Sequence, residues 1–169
     1  MLNTRVLVGV ISDTHGRLDP AVAEVFAGVD HIIHAGDVGD PGIVTALGAI
    51  APVTAVRGNV DTSGWAWDLP TEAMLELGGA RILVGHREGD LLRHHDPAHE
   101  GLDVIVSGHS HRPKMDWKEG VLYLNPGSAG PKRFGSARSL ALLEIETGPV
   151  LRPRVVYLEE GAGPTEPNG

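Results

Sequence analysis

Val6-Leu7-Val8-Gly9-Val10-Ile11-Ser12-Asp13-Thr14-His15-Gly16 is the stretch whose reading decides the fold. Its first half is apolar without alternation, the pattern of a strand covered on both faces. Its second half abruptly becomes polar. Asp13 and His15 stand two residues apart, so an extended backbone would send both side chains to the same side. A carboxylate and an imidazole aimed at one point suit a divalent metal; a helix-capping Asp beside an incidental His is the competing reading of this pair taken alone.

The same event recurs along the chain. His31 to Ala35 is a short apolar run that breaks into Gly36-Asp37, and Val53 to Val56 breaks into Arg57-Gly58-Asn59. Ala80 to Val84 ends in Gly85-His86, and Val104 to Val106 ends in Ser107-Gly108-His109-Ser110-His111. Between the first three runs lie helix signals, Asp19-Pro20 before Val22, Val25 and Phe26, and Asp40-Pro41 before Ile43, Val44 and Leu47. This is βαβ alternation, and in open α/β sheets ligand sites form beyond the carboxyl ends of the strands. Five polar side chains at one such edge would be costly to bury unpaired, and cations remove that cost. Gly36, Gly58, Gly85 and Gly108, each just before a candidate ligand, would let the backbone turn or approach closely there.

From Glu72 the pattern changes. Glu72 to Leu77 and Ala80 to Val84 flank Gly78-Gly79, a hairpin signal, and a polar helical stretch with a third Asp-Pro start at Asp96-Pro97 follows. Met115 to Trp117, Val121 to Asn125, Leu140 to Ile145 and Val155 to Leu158 read as antiparallel strands. Trp65 and Trp67, between Thr62 and Pro70, read as packed loop anchors rather than a ligand platform. Residues 1–160 are expected to form one domain and 161–169, rich in Gly, Pro and polar residues, a flexible tail.

Composition narrows the function. The chain has 169 residues and no cysteine, so any metal is held by nitrogen and oxygen and no thiol nucleophile exists. A net charge of −8 argues against a dedicated nucleic-acid binder, though a phosphorylated small molecule remains open. No signal-peptide pattern and no apolar run of membrane-spanning length are visible, so a cytoplasmic location without membrane association is expected. Exposed strands in the C-terminal half permit a homo-oligomer. No Gly-rich loop ending in Gly-Lys-Ser/Thr is present, which argues against a nucleoside-triphosphate enzyme.

Asp13-x-His15, Gly36-Asp37, Gly58-Asn59-x-Asp61, Gly85-His86 and Gly108-His109-Ser110-His111, in this order, resemble the calcineurin-like metallophosphoesterase superfamily. The run Asn125-Pro126-Gly127-Ser128 followed by Pro131-Lys132-Arg133 is similar to its small YfcE-like phosphodiesterases. The resemblance spans Val6 to Leu158. It implies an α/β fold, a four-layer αββα sandwich of two mixed β-sheets flanked by helices, with a centre for two divalent metal ions. By matching motif positions the first metal takes Asp13, His15 and His111, the second takes Asn59, His86 and His109, and Asp37 bridges them. Manganese is the expected metal, with iron, zinc, cobalt and nickel as alternatives. The implied reaction is hydrolysis of a small phosphate ester, a diester above all, by in-line attack of a hydroxide bridging two metals.

Arg57 is expected to contact the phosphate, as Arg does at this position in related phosphatases, and Arg57 and Asn59 are the expected catalytic and substrate-binding residues. Two positions depart from the pattern. Larger relatives place a His directly after the Asn, as a candidate general acid, and here Val60 stands there. The small phosphodiesterases often carry His-Gly-His at the fourth block, whereas this chain has His86-Arg87-Glu88-Gly89, so the substrate contacts of the second His do not carry over and Arg87 or Glu88 is the candidate replacement. His31, His34, His94, His95 and His99 match no ligand block and are assigned to strand packing or surface, with His94 and His95 able to edge the site. The competing function is a non-catalytic scaffold that binds proteins, as the retromer subunit of this fold does; such a scaffold is expected to have lost metal ligands.

Overall fold

Strand β1 (Arg5–Ile11) is buried on both sides, as its continuous apolar sequence requires. Val8 and Val10 face one core while Leu7 and Ile11 face another. The computed structural model describes residues 4–132, 137–159 and 163–165. Arg133, part of the run quoted above, lies outside the described residues.

Two parallel βα steps follow β1. Helix α1 (Ala21–Val25) leads to β2 (His31–His34), and α2 (Pro41–Gly48) leads to β3 (Val53–Ala55). Asp40 caps α2 by accepting a hydrogen bond from Gly42 N, with Pro41 in the first turn. At the corresponding Asp19-Pro20 start the helix begins one residue later than expected: Pro20 takes the cap position, while Asp19 accepts from Ala21 N and pairs with Arg138.

A single turn of 3-10 helix, Gly64–Asp68, then hands the chain to a second sheet. That sheet contains β4 (Glu72–Leu77), β5 (Ala80–Gly85), β6 (Val104–Val106), β7 (Lys114–Lys118) and β8 (Val121–Asn125), with α3 (Glu88–His94) between β5 and β6. The chain returns to the first sheet through β9 (Arg138–Glu146), β10 (Val150–Glu159) and β11 (Gly163–Thr165). The six-stranded sheet has the order β11-β10-β9-β1-β2-β3, and the five-stranded sheet β4-β5-β6-β8-β7. Both are mixed. β1, β2 and β3 run parallel in one, β5, β6 and β8 in the other, and the remaining pairs are antiparallel.

Four layers result. Val8, Val10, Ile33 and Val56 meet Ile82, Val84, Val106 and Leu124 between the sheets. On the outer face of the first sheet, Ile11, Ile32, Leu140 and Leu142 pack on Val22 and Phe26 of the α1 region and on Ile43 and Leu47 of α2. On the outer face of the second, Leu83 and Ile105 pack on Leu91 of α3. This is the expected αββα sandwich. Among the described residues no helix is long and apolar enough to cross a membrane.

Two local expectations give way. Asp96-Pro97 opens a turn rather than a helix: Glu100 N and Leu102 N donate to the carbonyls of Asp96 and Pro97, and the chain enters β6. β10 starts at Val150, well before Val155, and carries Pro153 within it. β11 pairs only with Tyr157 to Glu159, so Pro153 sits where β10 is a sheet edge, and an edge tolerates a missing donor. Within 161–169, Gly163–Thr165 forms the strand β11; the rest of that stretch lies outside the described residues.

Of the two tryptophans read as packed anchors, only Trp65 packs on the helix-side core. Trp67 is 68% exposed.

Phe26 anchors that helix-side core: it is fully buried, and a Cβ on Gly9 of β1 would sit 2.8 Å from its ring. Phe26→Ala should lower the unfolding free energy by about 3–5 kcal/mol in a denaturant titration. A cost under about 1 kcal/mol would mean that α1 does not pack as described.

Candidate metal centre

The carboxyl ends of β1, β2, β3, β5 and β6 carry the candidate ligands to one edge of the sandwich, where backbone hydrogen bonds lock the loops together. Asp13 N donates to Gly36 O at 2.9 Å and His15 N to Asp37 O at 2.9 Å, joining the β1 and β2 loops. Gly108 N donates to His86 O at 2.9 Å, joining the β6 and β5 loops. The sheets are then tied to each other, because His109 N donates to Asp13 Oδ2 at 3.0 Å and Asp13 Oδ2 also accepts from Ser12 Oγ at 2.6 Å.

The ligand residues reach this edge by an unusual backbone. Asp13, His15, Asp37, His109 and His111 all have positive φ, between 47° and 70°, and Glu119 is the only other non-glycine residue of this kind among the described residues. Asp13 and His15 therefore converge through left-handed turns and not through the extended backbone expected from their spacing. Such conformations are costly for residues with a Cβ and concentrate at functional sites. Close approach is needed as well. A Cβ on Gly58 would collide with Asp37, and one on Gly108 with Ser12 Oγ and Asp13 Oδ2. Gly85 differs from the expectation, since its neighbour is the Leu91 side chain of α3.

Two trios of donors result. Asp13, His15 and His111 form one, and Asp37, His86 and His109 the other, with the donor atoms of each trio within 4.8 Å of one another. Asp13 Oδ1, wholly buried, lies 3.3 Å from His111 Nε2, 3.8 Å from His15 Nε2 and 3.9 Å from His86 Nε2. Asp37 Oδ2 lies 3.2 Å from His86 Nε2 and 3.8 Å from His15 Nε2, so it faces both trios. Asp13 Oδ1 and His86 Nε2 are buried without a hydrogen bond among the described residues. Donors held about 2.0–2.1 Å from one ion lie roughly 3.0–3.4 Å apart, a spacing met by Asp13 with His111 and by Asp37 with His86, while the other pairs are somewhat wider. His86 Nδ1 donates to Ala35 O at 2.8 Å, so Nε2 is the ring nitrogen that faces the centre. Asn59 is exposed and lines the cavity next to His86.

The calcineurin-like phosphoesterase superfamily domain matches residues 6–148. The chain belongs to the calcineurin-like phosphoesterase superfamily. It is 37% identical, over 95% of its own length and 85% of the relative's, to a probable metallophosphoesterase of Methanocaldococcus jannaschii. It is 29% identical to the phosphodiesterase YfcE of Escherichia coli, over 79% of this chain and 84% of that one. Vacuolar protein sorting 29 of Cryptosporidium parvum shares its fold, with a TM-score of 0.76 at 22% identity, covering 93% of each chain.

In this phosphoesterase the two carboxylates have different environments. Burial pushes the Asp13 carboxyl up, against the Ser12 hydroxyl, the His86 charge and the His109 N–H, which pull it down. For Asp37 burial also pushes upward, but the His86 ring and the Val60 N–H outweigh it and take the carboxyl down to about 2. Burial first, then the charge of Arg87, lowers His109 and favours the neutral ring that a metal needs. A divalent cation would offset the burial of Asp13 directly. The donor set therefore fits divalent metal ions.

Several residues that hold the phosphoesterase site together gave little sequence signal. Asp61 accepts from Gly58 N and Val38 N through Oδ2 and from Gly39 N through Oδ1, binding the β2 and β3 loops. Asn125 donates to Gly108 O, and Ser128 Oγ donates to Asp13 O. These three lie within quoted motif blocks, yet nothing in the sequence distinguishes them from ligands. His34 is fully buried. Its Nδ1 accepts from Gly36 N, so its Nε2–H donates to Thr14 Oγ1, which in turn donates to Val38 O. His94 lines the cavity beside His86, while His95 pairs with Glu72 and Glu100.

Burial holds His34 neutral, with its pKa pushed down to about 4. The unfolded chain takes up this proton near pH 6.5 and the folded protein only near 4, so stability is full above about pH 6.5 and falls as pH drops toward 4. The loss should reach about 3 kcal/mol. Denaturant titrations of wild type and His34→Gln across that window should diverge by this slope; parallel profiles would rule the assignment out.

Proposed function

We propose that this metal-dependent phosphoesterase is a phosphodiesterase with a dinuclear centre, hydrolysing a small phosphate ester by in-line displacement at phosphorus. The observation that carries the reading is Asp37 Oδ2 facing His86 and His15, one from each donor trio, with His86 and Arg57 both lining a cavity of about 530 Å³. The first cation would be held by Asp13, His15 and His111, the second by Asn59, His86 and His109, with Asp37 shared between them. Two divalent ions so held would supply Lewis-acid charge and a hydroxide nucleophile at neutral pH. The all nitrogen and oxygen donor set suits manganese, iron, zinc, cobalt or nickel, and manganese is the metal to test first.

The chain's own residues do the positioning. Asp13 is fixed by Ser12 Oγ and His109 N, and Asp37 by Val60 N at 3.0 Å, so neither carboxylate must reorganise when charge develops. Arg57 presents a planar donor set to the phosphoryl oxygens, and Asn59 lines the cavity beside it. Val60 is 45% exposed and offers no proton to the leaving group, so esters with poor leaving groups should turn over slowly. The scaffold alternative is the weaker reading, because a protein-binding surface gives no reason to keep two complete donor trios with five of their six residues in left-handed backbone.

The purified protein should retain about two transition-metal ions per chain and, with manganese, hydrolyse bis(4-nitrophenyl) phosphate faster than the monoester. Metal-loaded protein inert to both esters would overturn the reading. The double replacement Asp13→Ala and His15→Ala should abolish turnover while circular dichroism stays folded. In Arg57→Ala, kcat/KM should fall about tenfold to a thousandfold with metal content unchanged. Unaltered kinetics in that variant would remove Arg57 from the site.

A further inference from the structure

Arg57 stands at the end of β3 with its guanidinium 4.7 Å from the centroid of the Trp67 ring. Among the described residues it has no carboxylate partner and no side-chain hydrogen bond, though it lines the cavity. Trp67 is 68% exposed, yet it is not on a loose loop. Its neighbour Ala66 is fully buried, Trp65 packs on the helix-side core, and Arg57 N donates to Pro70 O at 2.8 Å. The 3-10 turn is therefore clamped on both sides of Trp67 and to the backbone of Arg57 itself.

We propose that Trp67 is a positioning residue for Arg57: the indole face holds the guanidinium in place without neutralising it, so that its charge and in-plane N–H donors stay available to a phosphoryl group. A carboxylate in the same place would fix the arginine equally well but would compete with phosphate for the same donors. An aromatic face takes only the flat side of the guanidinium. The arrangement explains an exposed tryptophan in a clamped turn, and it rests on the reading of the cavity as a phosphoester site.

The test uses metal-loaded wild type, Trp67→Leu, Trp67→Phe, Arg57→Ala and the Arg57→Ala/Trp67→Leu double variant. Each is read by kcat and KM on bis(4-nitrophenyl) phosphate and by the affinity for inorganic phosphate in calorimetry. Trp67→Leu should raise KM and weaken phosphate binding by about fivefold to thirtyfold, with kcat within about threefold and metal content unchanged. Trp67→Phe keeps an aromatic face and should return to within about threefold of wild type. In the Arg57→Ala background the leucine substitution should add nothing. Trp67→Leu with wild-type KM and phosphate affinity would overturn the proposal. So would an equal loss in the Arg57→Ala background, because Trp67 would then act on the ligand directly. Phosphate binding that depends on Trp67 in a protein inert to esters would keep the stack and remove the esterase reading.

Discussion

A carboxylate with no exposure to solvent, Asp13, is the constraint around which the rest of this structure is arranged. Burying it at a strand end is costly, and the cost is met from both sheets: the Ser12 hydroxyl from its own loop and the His109 N–H from across the sandwich. That second bond requires the β6 loop to lie against the β1 loop. Gly108 permits it, since any side chain there would strike Ser12 and Asp13. Asp13 Oδ1 is then left facing His15, His86 and His111, an arrangement that a divalent cation would fit.

The left-handed residues follow from the same constraint. Side chains at the end of a parallel strand continue along it unless the backbone reverses at once, and five of the candidate ligands reverse by adopting φ values that glycine would accept more cheaply. None of them can be glycine, because each supplies a donor atom. The strain is held by neighbours outside the two donor trios, Asp61, His34 and Asn125, whose hydrogen bonds pin the loops on either side.

Much of this was legible in the sequence, for identifiable reasons. β1 and β6 read correctly because strands buried on both faces are continuously apolar, and Asp37, His86 and His109 stood out because each follows a glycine at a strand's end; β8, read as antiparallel, is so only toward β7 and runs parallel to β6. What escaped depends on direction more than on residue type. The sequence spacing of Asp13 and His15 implied convergence but through the wrong backbone, since φ at a single residue leaves no periodic trace. Trp65 and Trp67 are the same residue two positions apart in one turn, and only the fold turns one inward and the other out. Asp96-Pro97 carries the local signal of Asp40-Pro41, but the chain must enter β6 almost at once and has no room for a helix.

The donors of the centre are drawn from Asp13 at one end to His111 at the other, and from both sheets of the sandwich. No subset of adjacent residues could assemble them in an unfolded chain. Any ion affinity would then belong mainly to the native state, and by mass action a bound cation would draw the population toward it. The ions would act as rivets between two sheets that otherwise meet through apolar side chains, so cellular metal supply would set how long the fold survives as well as how fast it works.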